Sequence, residues 1–159
     1  MIAGYLVALT ALSLGLQAIG LRSGFNTAMS SATTAELLGF VFLTAPVLLY
    51  FAILEASSWQ ATLGKRALGV VVVGASRGRL SLGRALVREA VRFLPWELSH
   101  ALLWRVALAP DKNSASGWVT GGFAAVYLLV FVYLVTLFVG TQHRTLYDRV
   151  AGSYVLRTT

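Results

Sequence analysis

Long runs of apolar positions, separated by short polar stretches, divide the chain of 159 residues. Residues 2–21 contain no charged side chain, and residues 37–54 and 119–140 are comparably apolar. A helix of about 20 residues is about 30 Å long, which matches the hydrocarbon core of a bilayer. The pattern therefore predicts membrane-spanning helices at 2–21, 37–54 and 119–140.

Two of these segments have an alternative or a complication. A cleaved signal peptide is the alternative for the first segment, but such a peptide carries positive charge ahead of its apolar core. Residues 1–21 contain no lysine or arginine. The second segment contains Pro46, which a helix bundle tolerates at the expected cost of a kink.

A fourth segment, residues 81–109, has two different halves. Arg84, Arg88 and Arg92 recur every four residues, so they share one face of a helix while apolar side chains fill another. This half predicts a short amphipathic helix at the lipid headgroups. The other half, residues 93–109, provides 17 positions, the lower limit for a crossing. It either crosses as a thin span, kinked at Pro95, or lies flat on the membrane.

Positive charge is concentrated in the polar stretches that flank these segments. With four crossings and both termini in the cytoplasm, ten of the 13 lysine and arginine residues lie inside. Because cytoplasmic loops are enriched in these residues, the four-crossing arrangement is favoured over three. We expect an all-α integral membrane protein of the plasma (inner) membrane, a four-helix transmembrane bundle. Its cytoplasmic basic layer comprises residues 60–92 and 142–159.

Composition narrows the classes of function. Hydrophobic residues make up 57% of the chain and charged residues 12%, which excludes a water-soluble globule, where about 25% are charged. The net charge of +7 lies beside apolar runs, so anionic membrane lipids, and not nucleic acid, are the expected partner. The absence of cysteine excludes disulfides and thiolate metal sites, and no metal or other cofactor is expected.

A small sheet is predicted within the basic layer. Residues 68–73 form a β-branched run that ends at Gly74, and residues 153–157 read Ser-Tyr-Val-Leu-Arg. An isolated strand needs a partner, so we expect these two segments to pair. Pairing requires both segments on the same side of the membrane, which again favours four crossings.

Two motifs lie in the same layer. Residues 62–69 read Thr-Leu-Gly-Lys-Arg-Ala-Leu-Gly, and residues 142–152 read Gln-His-Arg-Thr-Leu-Tyr-Asp-Arg-Val-Ala-Gly. Further matching positions lie between them: Gly78, Leu80, Ser81, Gly83, Arg84, Ala85, Arg88 and Pro95. With these motifs at this spacing, residues 60–157 resemble the RDD family of small membrane proteins.

The resemblance implies a transport role, including cation and proton exchange for some members of that family. The family is named for an arginine at the start of its first membrane helix, an aspartate within that helix and a second aspartate near the C-terminal end. Only the second aspartate has a counterpart here, Asp148, and Ala8 stands about where the first would fall. The resemblance therefore predicts the fold more strongly than the activity.

Asp148 is the first candidate site residue. We expect it to pair with Lys65, Arg66 or Arg88 and so to hold the C-terminal tail against the basic loop. The alternative is an exposed acid at a helix N-terminus. An exposed pair contributes ~0–1 kcal/mol, whereas a buried one costs several kcal/mol when one partner is lost.

Glu97 and His100 are the second candidates. They are three residues apart, so on a helix their side chains are neighbours, and a carboxylate beside an imidazole can pass a proton. The alternative is a shallow helix on which both groups are wetted by headgroup water. Ionisable groups inside a membrane are costly and are a functional hypothesis by default.

Arg84, Arg88 and Arg92 are candidates for binding lipid phosphate. No hydrolase motif or phosphate-loop pattern is present, so an enzyme is not expected. The predicted function is transport or a transport-associated role. The alternatives are a non-catalytic scaffold or accessory subunit of a larger membrane complex, and an anionic-lipid-binding membrane protein. A homo-oligomer is a further expected arrangement, since four helices enclose little space.

Overall fold

The computed structural model describes residues 7, 10–11, 14–15, 17–20, 23–24, 27, 29–109 and 116–158. The predicted span at 2–21 lies largely outside these residues. The elements that follow it are, in chain order, α1 (Ala32–Gly39), a π-helical turn (Phe40–Thr44), α2 (Ala45–Ala56), α3 (Leu63–Ala67), β1 (Val70–Gly74), α4 (Leu82–Ala107), α5 (Ser116–Phe138), α6 (Leu146–Ala151) and β2 (Ser153–Arg157).

Among the residues that the structure describes, two helices are long and apolar enough to cross a membrane. One is the continuous helix Ala32–Ala56, formed by α1, the π-helical turn and α2, and the other is Gly117–Phe138 within α5. Only 17% and 11% of their most apolar windows are buried inside the protein, whereas a core helix of a soluble protein is mostly buried. Large apolar side chains such as Phe42 and Phe131 point outward instead, as a lipid environment requires.

The π-helical turn ends two residues before Pro46. Proline has no N–H, and its ring clashes with the carbonyl group four residues earlier, which here belongs to Phe42. The backbone accommodates this by widening: the N–H of Ala45 donates to the carbonyl of Phe40, five residues back. The turn ends at Thr44, whose side chain is buried. Such turns are frequent at functional sites.

Helix α4 is the centre of the fold, since it contacts α1, α2, α5 and α6. It begins after Ser81, whose side chain accepts a hydrogen bond from the N–H of Arg84, and it continues through Pro95. The amphipathic half and the predicted span at 93–109 are therefore one helix. Pro95 leaves the carbonyl of Val91 without its helical partner, and the hydroxyl of Tyr133 in α5 donates to that carbonyl.

The predicted pairing of residues 68–73 with 153–157 is present as an antiparallel pair, with Val70 opposite Arg157 and Gly74 opposite Ser153. The first strand begins two residues later than predicted because α3 extends to Ala67 and a turn with positive φ at Gly69 follows it. A small apolar core lies beside the sheet, where Ala52, Val72, Leu80 and Ala85 pack together. The sheet holds the segment after α2 and the segment after α6 at one end of the molecule.

Candidate functional site

A cluster of six charged side chains lies where the ends of four helices meet, and we refer to it as the charge cluster. It consists of Glu55 from α2, Lys65 from α3, Arg88, Glu89 and Arg92 from α4, and Asp148 from α6. With three acids and three bases, its formal charge is zero. Charges that are removed from water are tolerated when they are paired in this way.

Arg88 is the centre of the charge cluster and is only 2% exposed. Its Nη1 atom lies 2.8 Å from Oε2 of Glu55 and 2.6 Å from Oε1 of Glu89, and its Nε atom lies 2.9 Å from Oδ1 of Asp148. The guanidinium also lies 5.1 Å from the ring centre of Tyr147. A planar guanidinium with five donors is suited to binding several carboxylates at once.

Local structure in the second motif orients Asp148. Thr145 caps α6 by accepting the N–H of Asp148, and its hydroxyl donates to Oδ2 of Asp148 over 2.6 Å. Gly152, with φ of 63°, ends the helix and turns the chain. This turn brings the hydroxyl of Ser153 within 2.9 Å of Oδ1 of Asp148, to which it donates. The carboxylate is therefore fully satisfied, with Arg88 as its ionic partner.

Lys65 lies at an edge of the charge cluster, where part of its side chain reaches water. The side chain of Thr62 caps α3, and this short helix directs Lys65 to Glu55, with which it forms an ion pair. Burial lowers the pKa of Lys65, and the positive charge of Arg88 adds to this effect, while Glu55 opposes it. The ammonium group is thus less firmly protonated than that of an exposed lysine.

Glu89 joins Arg88 to Arg92, whose Nη1 atom lies 3.2 Å from Oε2 of Glu89. The side chain of Glu89 is fully buried. Burial raises the pKa of this carboxyl group, and the negative charge of Glu55 raises it further. Neither glutamate of the charge cluster was among the sequence candidates. Two features of the sequence could have identified them. Glu89 is one residue from Arg88 and three from Arg92, and Glu55 lies at the end of an apolar span.

The remaining arginine candidates have different surroundings. Arg66 is exposed and its guanidinium lies 4.6 Å from the ring centre of Trp59, so it is not part of the charge cluster. Arg92 lies 4.5 Å from the ring centre of Phe51 in addition to its pair with Glu89. Arg84 is exposed. The three arginines spaced four apart on α4 therefore share a face but not an environment.

A second group of polar contacts follows α4 away from the charge cluster, along its contact with the helix Ala32–Ala56. The hydroxyl of Thr44 donates to Glu97, and farther along Arg105 lies 2.8 Å from Glu36. Together with the contact between Arg88 and Glu55, these form a row of three polar contacts, which we call the polar seam. The residue pairs run in opposite directions along the two helices, as antiparallel helices require.

His100 lies one turn beyond Glu97 on α4. It is buried, with 7% of its surface exposed, and its ring centre lies 4.7 Å from that of Trp96. Glu97 is half-buried. The two candidates of the predicted proton relay are therefore on the same helix, within the apolar part of the fold.

The described residues include no group of three or more histidine, cysteine, aspartate or glutamate side chains arranged to hold a metal ion. Comparison with known families finds that the model of the RDD family matches residues 1–152. No curated protein matches the chain, and no solved structure does.

Proposed function

This chain belongs to the RDD family of membrane proteins, and we propose that it is a transport or transport-associated protein that moves protons or cations along the polar seam. The observation that carries the proposal is the contact between Thr44 and Glu97. It places a carboxylate between two helices at a depth where the surrounding surface is apolar. A charge at that depth is costly and is retained mainly for function.

The small sheet supports a membrane crossing by α4. The strand β1 follows the first candidate span and β2 follows the second, and the two strands pair. Both spans therefore end on the same side, and the chain has to return across the membrane between them. Helix α4 has 26 residues and is about 39 Å long, which is sufficient. With a further span at 2–21, both termini lie in the cytoplasm of a plasma-membrane protein.

In this arrangement Glu97 accepts and releases the proton or cation, and His100 extends the path toward the outer end of α4. The three contacts of the polar seam are eight to nine residues apart along α4, or about 12–14 Å. His100 lies between two of them, and the transport path requires water molecules to bridge the remaining distance. The π-helical turn at Thr44 gives the facing helix an adjustable segment opposite Glu97.

The charge cluster has a different role in this proposal. Its charges are mutually neutralised and its central arginine is closed off from water, so it anchors the helix ends on the cytoplasmic side. No catalytic step is assigned to it, and we propose a non-enzymatic protein. Transport then depends on the middle of α4, and assembly depends on its cytoplasmic end.

Flux measurements test the proposal. The purified chain is reconstituted into liposomes, and proton or cation movement is followed with a pH-sensitive or cation-sensitive dye. We expect flux from the wild-type protein and its loss in Glu97→Gln, which keeps the size of the side chain and its hydrogen bond with Thr44. A reduction is expected in His100→Ala. The matched control is His143→Ala, which removes the other histidine of the chain at an exposed position outside the polar seam and is expected to retain flux.

Two results would count against a transport role for this chain. Equal flux from the wild type, Glu97→Gln and His100→Ala would remove the proposed path. The absence of flux from the wild type, together with a stable complex with a larger membrane protein in native membranes, would favour the accessory-subunit alternative.

A further inference from the structure

A groove on the surface of the basic layer separates the start of α4 from α6. Its volume is about 350 Å³, and its lining includes two arginines, two valines and a glycine: Arg84, Arg149, Val87, Val150 and Gly152. It adjoins the charge cluster but shares no residue with it. We call it the arginine groove.

Arg84 supplies a positive charge that the protein does not neutralise. It lies one helical turn before Arg88, yet within the described part of the chain its guanidinium has no hydrogen bond or ion pair. Its Nη1 atom extends to within 3.9 Å of where a Cβ atom at Gly152 would stand. The guanidinium therefore lies across the groove, with its donors available to a ligand.

Arg149 supplies the second positive charge. Its Nη2 atom donates to the carbonyls of Thr136 and Val139, and its Nε atom donates to the carbonyl of Arg144. These acceptors are neutral, so they orient the guanidinium without cancelling its charge. Thr136 lies in the last turn of α5 and Val139 directly follows it, where a helix that crosses the membrane leaves the hydrocarbon. Arg149 thus lies at the depth of the lipid headgroups.

The apolar side chains of the arginine groove suit the parts of a phospholipid that adjoin its phosphate. Val87 is 47% exposed and Val150 is 55% exposed, although both belong to the layer of the protein that faces water. Beside two uncompensated charges, they provide a surface for the glycerol backbone and the first carbons of an acyl chain. A free anion would use the charges and leave these valines in water.

We propose that the arginine groove binds the phosphate of an anionic phospholipid, with Arg84 as the principal ligand and Arg149 as the second. The site differs from the face of three arginines considered in the sequence, because Arg88 and Arg92 are bound to carboxylates of the charge cluster. This proposal requires that the protein lies in a membrane, but it does not require that the protein transports protons or cations.

The test uses the full chain in detergent micelles with phosphatidylglycerol and phosphatidylcholine as competing probes, and native mass spectrometry counts the retained lipid. The wild type is expected to retain phosphatidylglycerol in preference. Arg84→Gln is expected to lower that preference about fivefold, the effect of one basic residue near an anionic lipid surface. Arg149→Gln is expected to lower it as well, and Arg84→Lys to restore part of it.

The matched control is Arg157→Gln, which removes one exposed positive charge from the same layer outside the groove. If Arg157→Gln and Arg84→Gln lower the preference equally, the lipid responds to total charge and the site is refuted. Glycerol phosphate and inorganic phosphate form the second arm. Competition by either one at concentrations comparable with the lipid would show that a soluble phosphate is the ligand, which also overturns the proposal. Because Arg84 has no partner in the described protein, its substitution leaves the fold intact.

Discussion

The two ends of α4 contain the same kind of contact in opposite environments. At the cytoplasmic end, Arg88 is 2% exposed and contacts three carboxylates. At the far end, Arg105 forms one ion pair with Glu36, and the side chains of the two residues are 42% and 27% exposed. A buried pair is strongly destabilised when one partner is removed, whereas an exposed pair contributes little.

This contrast shows that the number of ion pairs says little about where the fold is held together. Arg88 joins α2, α4 and α6 directly, and Glu55 extends the charge cluster to Lys65 in α3. The loss of Arg88 therefore leaves buried carboxylates on three helices. At the far end, water can replace either partner. One end of α4 is therefore fixed, and the other end is free to adjust during transport.

The largest expected effect is that of Arg88→Gln. The substitution leaves Glu55, Glu89 and Asp148 with only two cations, and we expect the free energy of unfolding to fall by about 3–5 kcal/mol. Equilibrium unfolding in mixed micelles measures it. Arg84→Gln, one helical turn away on the same face, is the control and is expected to change stability by no more than about 0.5 kcal/mol. Equal losses in the two variants would contradict the central role of Arg88.

Asp148→Asn is expected to have a smaller effect. The amide keeps the shape of the side chain and its oxygen can accept from Ser153 and Arg88, but the ion pair with Arg88 is lost. Arg88 still contacts two glutamates, so the expected loss is about 1.5–3 kcal/mol. In the double variant with Arg88→Gln the losses should not add, since both residues belong to one network. Additive losses in the same unfolding experiment would show that Asp148 acts independently of Arg88.

The pH dependence of stability further distinguishes the charge cluster from the ion pair at the far end of α4. Because the pKa of Glu89 is raised above 4.5, the folded state binds this proton more tightly than the unfolded state. The contribution of Glu89 to stability therefore falls as the pH rises from about 4.5 through the raised pKa. Glu89→Gln removes this titration and is expected to flatten the fall, as measured by unfolding across a pH series. An unchanged pH profile would contradict the raised pKa.

Lys65 makes the stability change with pH in the opposite direction, in the alkaline range. Its pKa is lowered from 10.5, so the unfolded state binds this proton more tightly. Its contribution to stability consequently rises with pH, from the lowered pKa toward 10.5. Lys65→Met is expected to remove this alkaline rise, as measured by unfolding in the same pH series, and a rise retained in that variant would contradict the lowered pKa.

Patterns in the sequence predict the elements of this fold better than they predict the charge cluster. The valine run and the tail identify the two paired strands, because β-branched residues and turn residues are local signals. The resemblance to the RDD family, based on the two motifs, is confirmed by the family comparison. For Asp148 the sequence offered Lys65, Arg66 or Arg88 as partners without choosing among them, and the structure has Arg88 at 2.9 Å.

The remaining members of the charge cluster depend on how distant segments meet. Glu55 marks the end of an apolar run in the sequence, and only the packing of α2 against α4 brings it to Arg88. The contact between Thr44 and Glu97 likewise depends on the widened turn before Pro46. The continuation of α4 through Pro95 could not be predicted either, because Tyr133, which compensates for the lost backbone hydrogen bond, lies in another helix.

The smallest expected effect is that of Glu36→Gln or Arg105→Gln at the far end of α4. Both side chains keep access to water, so either substitution should lower the free energy of unfolding by only ~0.2–1 kcal/mol. The small contribution should decrease further at high salt, which screens exposed charges, whereas the loss in Arg88→Gln should persist. A double-mutant cycle on this pair, measured at low and high salt, gives the coupling directly. A salt-independent coupling of several kcal/mol would mean that this end of α4 is as firmly held as the other, and the contrast between the two ends would disappear.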